Sequence, residues 1–223
     1  MSVLKSLKWD EVRRHYDDRV RVHKELLALR AAKDTGRLAK LLLGVSDAAG
    51  NYSAEEHGIG PRVLGDNLNA EQRIFDLADT FVGLKKARTV PELIRQAGLK
   101  YLGISVGSEA SCMLNPQVCW VANTRTVWAH LLVKHDDNVE RADEELRLYR
   151  DGDETSEMAY AKWADIHATL ETALTRLGEN GQKTSRLASV EPGTITFLWA
   201  DAIAAYLYAQ HKKYPGVLKR LSR

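Results

Sequence analysis

Cysteine is scarce. Cys112 and Cys119 are the only two in 223 residues, too few for a disulfide framework, and the six residues between them fit neither a C-x-x-C redox pair nor a zinc spacing. Both are expected as reduced, buried thiols. Long apolar runs are missing too. The longest uncharged stretch, Ala110–Thr124, is 15 residues and contains Asn115, Pro116, Gln117 and Asn123, which falls short of the ~20 apolar residues of a spanning helix. No membrane segment is expected. The opening MSVLKSLKWDEVRR has no apolar stretch followed by a small-residue cleavage site, so no secretory leader and a cytoplasmic location are expected. Net charge is nearly absent: 32 basic against 30 acidic groups gives +2, which removes any chain-wide electrostatic case for nucleic acid or membrane. There is no G-x-x-x-x-G-K-S/T phosphate loop, no internal repeat and no low-complexity segment. Nothing calls for a cofactor, and none is expected.

What is present is segregated charge. Residues 1–50 carry 11 basic and 7 acidic groups, 51–135 carry 9 and 8, 136–180 carry 5 and 13, and 181–223 carry 7 and 2. The ends are basic and the middle is acidic. Residues 99–122, LKYLGISVGSEASCMLNPQVCWVA, hold only two charges, Lys100 and Glu109, and are read as the core.

Along the chain, Trp9, Val12, Tyr16, Val20, His23 and Leu27 recur at three- and four-residue steps, one stripe of a long helix from Trp9 to about Lys33. A second helix is expected over Asp34–Val45, and residues 46–69, with four glycines and a proline, read as a long loop carrying His57. Asn69 is expected to cap a helix reaching about Lys86 with Ile74, Leu77, Ala78 and Phe81 inward. Thr89 opens a short helix with Pro91 in its first turn and Gly98 as its left-handed stop. YLGISV and QVCWVA read as two strands flanking a brief helix, Ser108–Leu114, and a turn at Asn115-Pro116. Helices follow to His135, then from an Asp136 or Asp137 cap to Arg150, then over Glu154–Leu177 with Gly178 as stop. A polar loop over 179–193 leads to a helix over Thr194–Gln210. The fold expected is mainly α: a single domain, 1–223, as a helical bundle with a small two-stranded β element near residues 101–121. Its possible subdivision is into 1–98 and 99–223.

Four constellations carry chemistry. Gly103-Ile104-Ser105-Val106-Gly107 matches G-x-S-x-G, the strand-to-helix turn that exposes a nucleophile, which makes Ser105 the catalytic candidate of a serine hydrolase. His135-Asp136, with Asp201 in the apolar helix WADAIAAY, resembles the helical HD-type metal phosphohydrolases; that resemblance implies His135, Asp136 and Asp201 as metal ligands. Gly107-Ser108 opens a helix whose free N–H groups would suit an anion. The tail HKKYPGVLKRLSR carries Lys212, Lys213, Lys219, Arg220 and Arg223 without an acid and is joined by Lys85, Lys86 and Arg88, a pattern suited to phosphate backbones. The preferred expectation is a non-enzymatic nucleic-acid-binding subunit of a nucleoprotein assembly. Its basic ends would meet RNA or DNA phosphates, and its acidic 136–180 region would meet other protein subunits. Subunits of CRISPR-type effector complexes do work of that kind, by analogy alone.

Overall fold

The computed structural model describes residues 2–150 and 157–213. Its helices are α1 (Trp9–Ala31), α2 (Thr35–Leu42), α3 (Tyr52–Glu56), α4 (Ile59–Gly65), α5 (Ala70–Gly83), α6 (Val90–Ala97), α7 (Ile104–Leu114), α8 (Thr124–Lys134), α9 (Val139–Arg150), α10 (Glu157–Leu187) and α11 (Thr196–Lys213). A short 3-10 turn, Val3–Ser6, precedes α1, and two more, Ala48–Gly50 and Ala87–Thr89, lie between α2 and α3 and between α5 and α6. The mainly helical expectation holds. Among the described residues there is no strand, and no helix is long and apolar enough to cross a membrane. Two compact units divide the chain, Asp17–Asn123 and Met1–Tyr16 with Thr124–Arg223. The limits differ from the 98/99 subdivision read from the sequence.

The expected β element at 101–121 is the main correction. Tyr101 has φ 68°, which interrupts an extended run, and Gly103 is the N-cap of α7. Ile104-Ser105-Val106 are that helix's first residues, and every residue from Val106 to Leu114 is buried. A segment enclosed on all sides has no amphipathic period, so β-branched content alone suggested strand, and packing overrode it. The second expected strand is a non-repetitive segment fastened to α7 by a side chain: Ser108 Oγ accepts the Ala122 N–H at 2.8 Å.

Other differences in the Asp17–Asn123 unit have local causes. The long loop expected over 46–69 contains the Ala48–Gly50 turn, α3 and α4, because Asp47 and Asn51 cap the first two: Asp47 Oδ1 accepts from Ala49 N and Asn51 Oδ1 from Ala54 N. Helices of five and seven residues are too short to show a period. Asn69 is left-handed at φ 53° with no side-chain cap, and α5 stops at Gly83. The carbonyls of Phe81 and Val82 in its last turn, and of Leu84 just past its end, accept from Asn115 Nδ2 at 3.1–3.3 Å. The α6 reading holds, with Pro91 in the first turn and Gly98 at φ 59°.

In the other unit α8, α10 and α11 pack on one another, and α9 packs on α8. Trp9 stacks on Trp199 with centroids 5.8 Å apart, and Tyr16 meets Trp199 edge-on at 5.6 Å. The Tyr16 hydroxyl accepts the N–H groups of Thr194 and Ile195 at 3.0 and 3.1 Å. Asn138, rather than Asp136 or Asp137, caps α9, accepting from Arg141 N at 3.1 Å. Both aspartates are left-handed, and Asp137 accepts from the Ser2 N–H and hydroxyl. Gly178 does not stop α10, which continues through Gly181 to Leu187. At Gly181 a Cβ would lie 2.2 Å from Ile203 Cδ1, so glycine serves close approach to α11 rather than termination.

Candidate functional site

The most polar interior point of the Asp17–Asn123 unit is an ion pair. Arg19 on α1 and Glu109 on α7 are both fully buried and meet at 2.8 Å. Glu109 also accepts from the Tyr52 and Ser53 N–H groups at 2.9 and 3.1 Å and from the Ser53 hydroxyl at 2.6 Å. Asn123 Nδ2 donates to Ser53 Oγ at 3.1 Å, and Arg19 to the Ala49 carbonyl at 3.1 Å. The carboxylate thus satisfies the first two N–H groups of α3, where an acid is also favoured by the helix dipole. With no exposed surface it can receive no substrate, and its role is to fasten α1, α3 and α7. Arg19 lies three residues after Tyr16 and three before Val22, on the buried stripe of α1, which runs through Val22, Leu26 and Leu29. That phase differs by one residue from the expected Val20, His23 and Leu27, because an arginine occupies the inward position.

A second constellation is accessible. It lies wholly in the other unit, where α9 and α11 each pack on α8. Trp128, fully buried on α8, donates its indole N–H to Asp143 Oδ1 at 2.9 Å. The same oxygen lies 3.0 Å from His211 Nε2, with the two side chains 30% and 12% exposed. The Trp128 and His211 rings stack at 4.5 Å and 20°, and Tyr208 meets Trp128 edge-on at 5.7 Å. Asp143, Leu146 and Arg147 from α9 and Tyr208, His211 and Lys212 from α11 line a cleft of about 300 Å³. Positions 208, 211 and 212, and likewise 143 and 147, share a face by helical spacing. Lys212 Nζ lies 5.5 Å from the Tyr208 ring centroid, a cation–π distance. His211 is held by Asp143 at Nε2 and by the buried Trp128 on its ring, so its orientation is fixed by α8 and α9.

Beside this cleft, Glu145 takes Lys134 Nζ at 2.6 Å, His135 Nε2 at 2.7 Å and the Tyr149 hydroxyl. Burial raises the Glu145 carboxyl, but the hydrogen bonds from Lys134, Tyr149 and His135 outweigh it and hold the group at about 2. Tyr149 is pushed to about 12 by burial and by that carboxylate. His130 is lowered, first by burial and then by Lys134.

The residues singled out from sequence are dispersed. His135 serves Glu145, Asp136 is an exposed left-handed turn residue, and Asp201 is 3% exposed within α11. Among the described residues no three His, Cys, Asp or Glu side chains are grouped to hold a metal ion. Ser105 is half-buried in the first turn of α7, and the strand a nucleophile elbow needs has no counterpart among the described residues. Gly107 lies inside that helix, where a Cβ would come 2.5 Å from Ile94 Cδ1. It permits contact with α6 and does not open an anion site. His57 is exposed at the end of α3. Lys85, Lys86 and Arg88 are exposed together in the connection between α5 and α6. Lys212 and Lys213 are exposed on the last turn of α11, and Lys219, Arg220 and Arg223 lie outside the described residues. Arg147, Tyr208 and His211 escaped the sequence reading. The signal for two of them was the spacing of Tyr208 and His211 relative to Lys212; that they face α9 is tertiary information. Compared with protein-family models, with curated proteins and with solved structures, the chain matches none.

Proposed function

We propose that this chain is a non-enzymatic nucleic-acid-binding subunit of a larger nucleoprotein assembly. The observation that carries this reading is the grouping of Arg147 and Lys212 around one cleft with Tyr208 and His211: cations that neutralise phosphate, beside rings that bases can meet. Two features support it. The chain after Asp201 contains no acid, and Lys85, Lys86 and Arg88 form a second exposed basic group in one short connection. Apart from the face of α9 that lines the cleft, the acidic 136–180 region is the surface proposed for protein partners, although part of its charge is spent internally, Asp137 on Ser2, Asp143 on Trp128 and His211, and Glu145 on Lys134 and His135. Fluorescence anisotropy of a labelled oligonucleotide, titrated at several salt concentrations, tests the reading. Replacing Lys212, Lys213, Lys219, Arg220 and Arg223 by alanine is expected to flatten the plot of log affinity against log salt by about 0.7 to 0.9 for each phosphate that is no longer neutralised. An unchanged slope removes the tail from the interface, and a wild type that binds no oligonucleotide at low salt removes the reading.

A further inference from the structure

We infer that the cleft between α9 and α11 receives one unpaired nucleotide, with its base against Tyr208 and its phosphate between Arg147 and Lys212; the inference rests on the nucleic-acid reading above and specifies the form of nucleic acid it selects. Size is the first argument. About 300 Å³ is at the lower end of small-ligand pockets, a size that suits one planar base. The second is the wall chemistry. Tyr208 is only partly buried and is fixed edge-on against Trp128 at 5.7 Å, so its ring is a prepositioned surface at little entropic cost. Any base offers a π face to such a ring, and in a duplex that face is already occupied by the neighbouring base pairs.

The third argument is the placement of charge. Lys212 Nζ lies over the Tyr208 ring, 5.5 Å from its centroid. An entering base takes the ring, and the ammonium, on a flexible four-carbon stem, moves to the phosphate; a weak cation–π contact is exchanged for a charge pair. Arg147 faces it from α9, one helical turn beyond Asp143. Among the described residues that line the cleft the one acid is held back: Asp143 Oδ1 is engaged by the Trp128 indole and by His211 at 2.9 and 3.0 Å, which tempers its repulsion of a phosphate. No residue of this set is asked to transfer a proton, so the cleft holds its nucleotide unchanged.

The test uses the full chain with three probes: a fluorescein-labelled single strand of about 12 nucleotides, the duplex of the same sequence, and adenosine monophosphate as competitor. Tyr208→Ala is expected to weaken single-strand binding roughly 5- to 100-fold and to leave duplex binding within about twofold, while Tyr208→Phe recovers most of the loss because it keeps the π face. Arg147→Ala, a surface change independent of the aromatic packing, is expected to lower the salt slope for the single strand by about 0.7. Equal losses on both probes, or none on the single strand, overturn the nucleotide cleft and leave the nucleic-acid reading standing. No binding of either oligonucleotide by the wild type overturns both. Adenosine monophosphate that binds the wild type as tightly as the strand does, with the same loss on Tyr208→Ala, assigns the cleft to a free nucleotide and overturns the strand. Competition only at far higher concentration supports the strand.

Discussion

The two units solve the same problem, burying helices against one another, with different materials. In Asp17–Asn123 the interior is organised by polar groups: Arg19 and Glu109, the amides of Asn51 and Asn115, and the hydroxyls of Ser53 and Ser108. Its helices are short, four of the six from α2 to α7 having eight residues or fewer. Each end therefore exposes orphan N–H and C=O groups that few apolar side chains can cover. Side-chain amides and one carboxylate supply the missing partners. In the unit formed by residues 1–16 and 124–223, α10 runs 31 residues and α11 runs 18, so helix ends are few and aromatic layers fill the interior. Helix length decides which chemistry the core needs. The comparison implies that the first unit fails when a charge is orphaned and the second when a group inside it is charged.

The largest effect is expected at Glu109. Removing one partner of a buried pair leaves the other without compensation, a cost of about 3 to 5 kcal/mol. Glu109→Ala removes the buried counter-charge of Arg19 and the carboxylate that accepts from the Tyr52 N–H, the Ser53 N–H and the Ser53 hydroxyl. The double change Arg19→Met with Glu109→Met removes the uncompensated charge but does not restore that acceptor, so it should recover only part of the loss. Urea midpoints read it. A Glu109→Ala loss under about 1 kcal/mol, or full recovery in the double variant, means that the unit does not depend on its polar core.

How much of this was legible follows the same division. The expected α10 stripe of Ala159, Trp163, Ile166, Leu170, Leu174 and Leu177 shows the helical period plainly; its last four positions are buried and Ala159 and Trp163 are half-buried. α11, buried at every position from Phe197 to Ala204, is legible from its nearly unbroken apolar composition, whereas periodicity works at α10 because that helix keeps a solvated face. It fails at α7, which has none, and at α3 and α4, which are shorter than two full turns. Arg19 was hidden for another reason: a stripe chosen by hydropathy excludes the arginine that occupies its inward position. A sharper signal existed in the pairing of types, since Glu109 is the only acid in the 24 residues 99–122, and a buried acid calls for a cation on another inward face. The cleft was half legible. Lys212 entered as a tail cation, but Asp143 and Arg147, on a helix of mixed charge with four acids and three arginines, gave no hint that they meet it.

Protonation sharpens the comparison from the other unit. His167 on α10 is fully buried, and burial pulls it from 6.5 to about 4. The folded chain keeps this ring neutral, whereas the unfolded chain protonates it below about 6.5. Its contribution to stability is therefore complete above that pH, declines as pH falls from 6.5, and is gone below about 4, a loss of roughly 3 kcal/mol in all. Urea midpoints at about pH 7.5 and about pH 4.5 should differ markedly more in the wild type than in His167→Leu. Parallel pH profiles for the two proteins would show that the buried imidazole does not govern acid sensitivity.

The smallest effect, and the one of opposite sign, is expected from two glycines, one in each unit, whose neighbours differ. At Gly50 an added Cβ would lie 1.7 Å from the Leu41 carbonyl oxygen. A backbone group cannot rotate aside, so Gly50→Ala should cost about 1 to 3 kcal/mol. At Gly178, in the interior of α10, the nearest atom is the Thr196 Cγ2 at 3.4 Å, an ordinary contact. Alanine there keeps the contact to α11 and lowers the conformational freedom of the unfolded chain, and a helix-interior Gly→Ala change is worth up to about 1 kcal/mol. Gly178→Ala should therefore raise the thermal midpoint by a few degrees while Gly50→Ala lowers it. If both lower it, the α10–α11 contact at Gly178 is tighter than an alanine allows. If both raise it, the close backbone approach at Leu41 relaxes freely, and the distinction between the two units loses its physical basis.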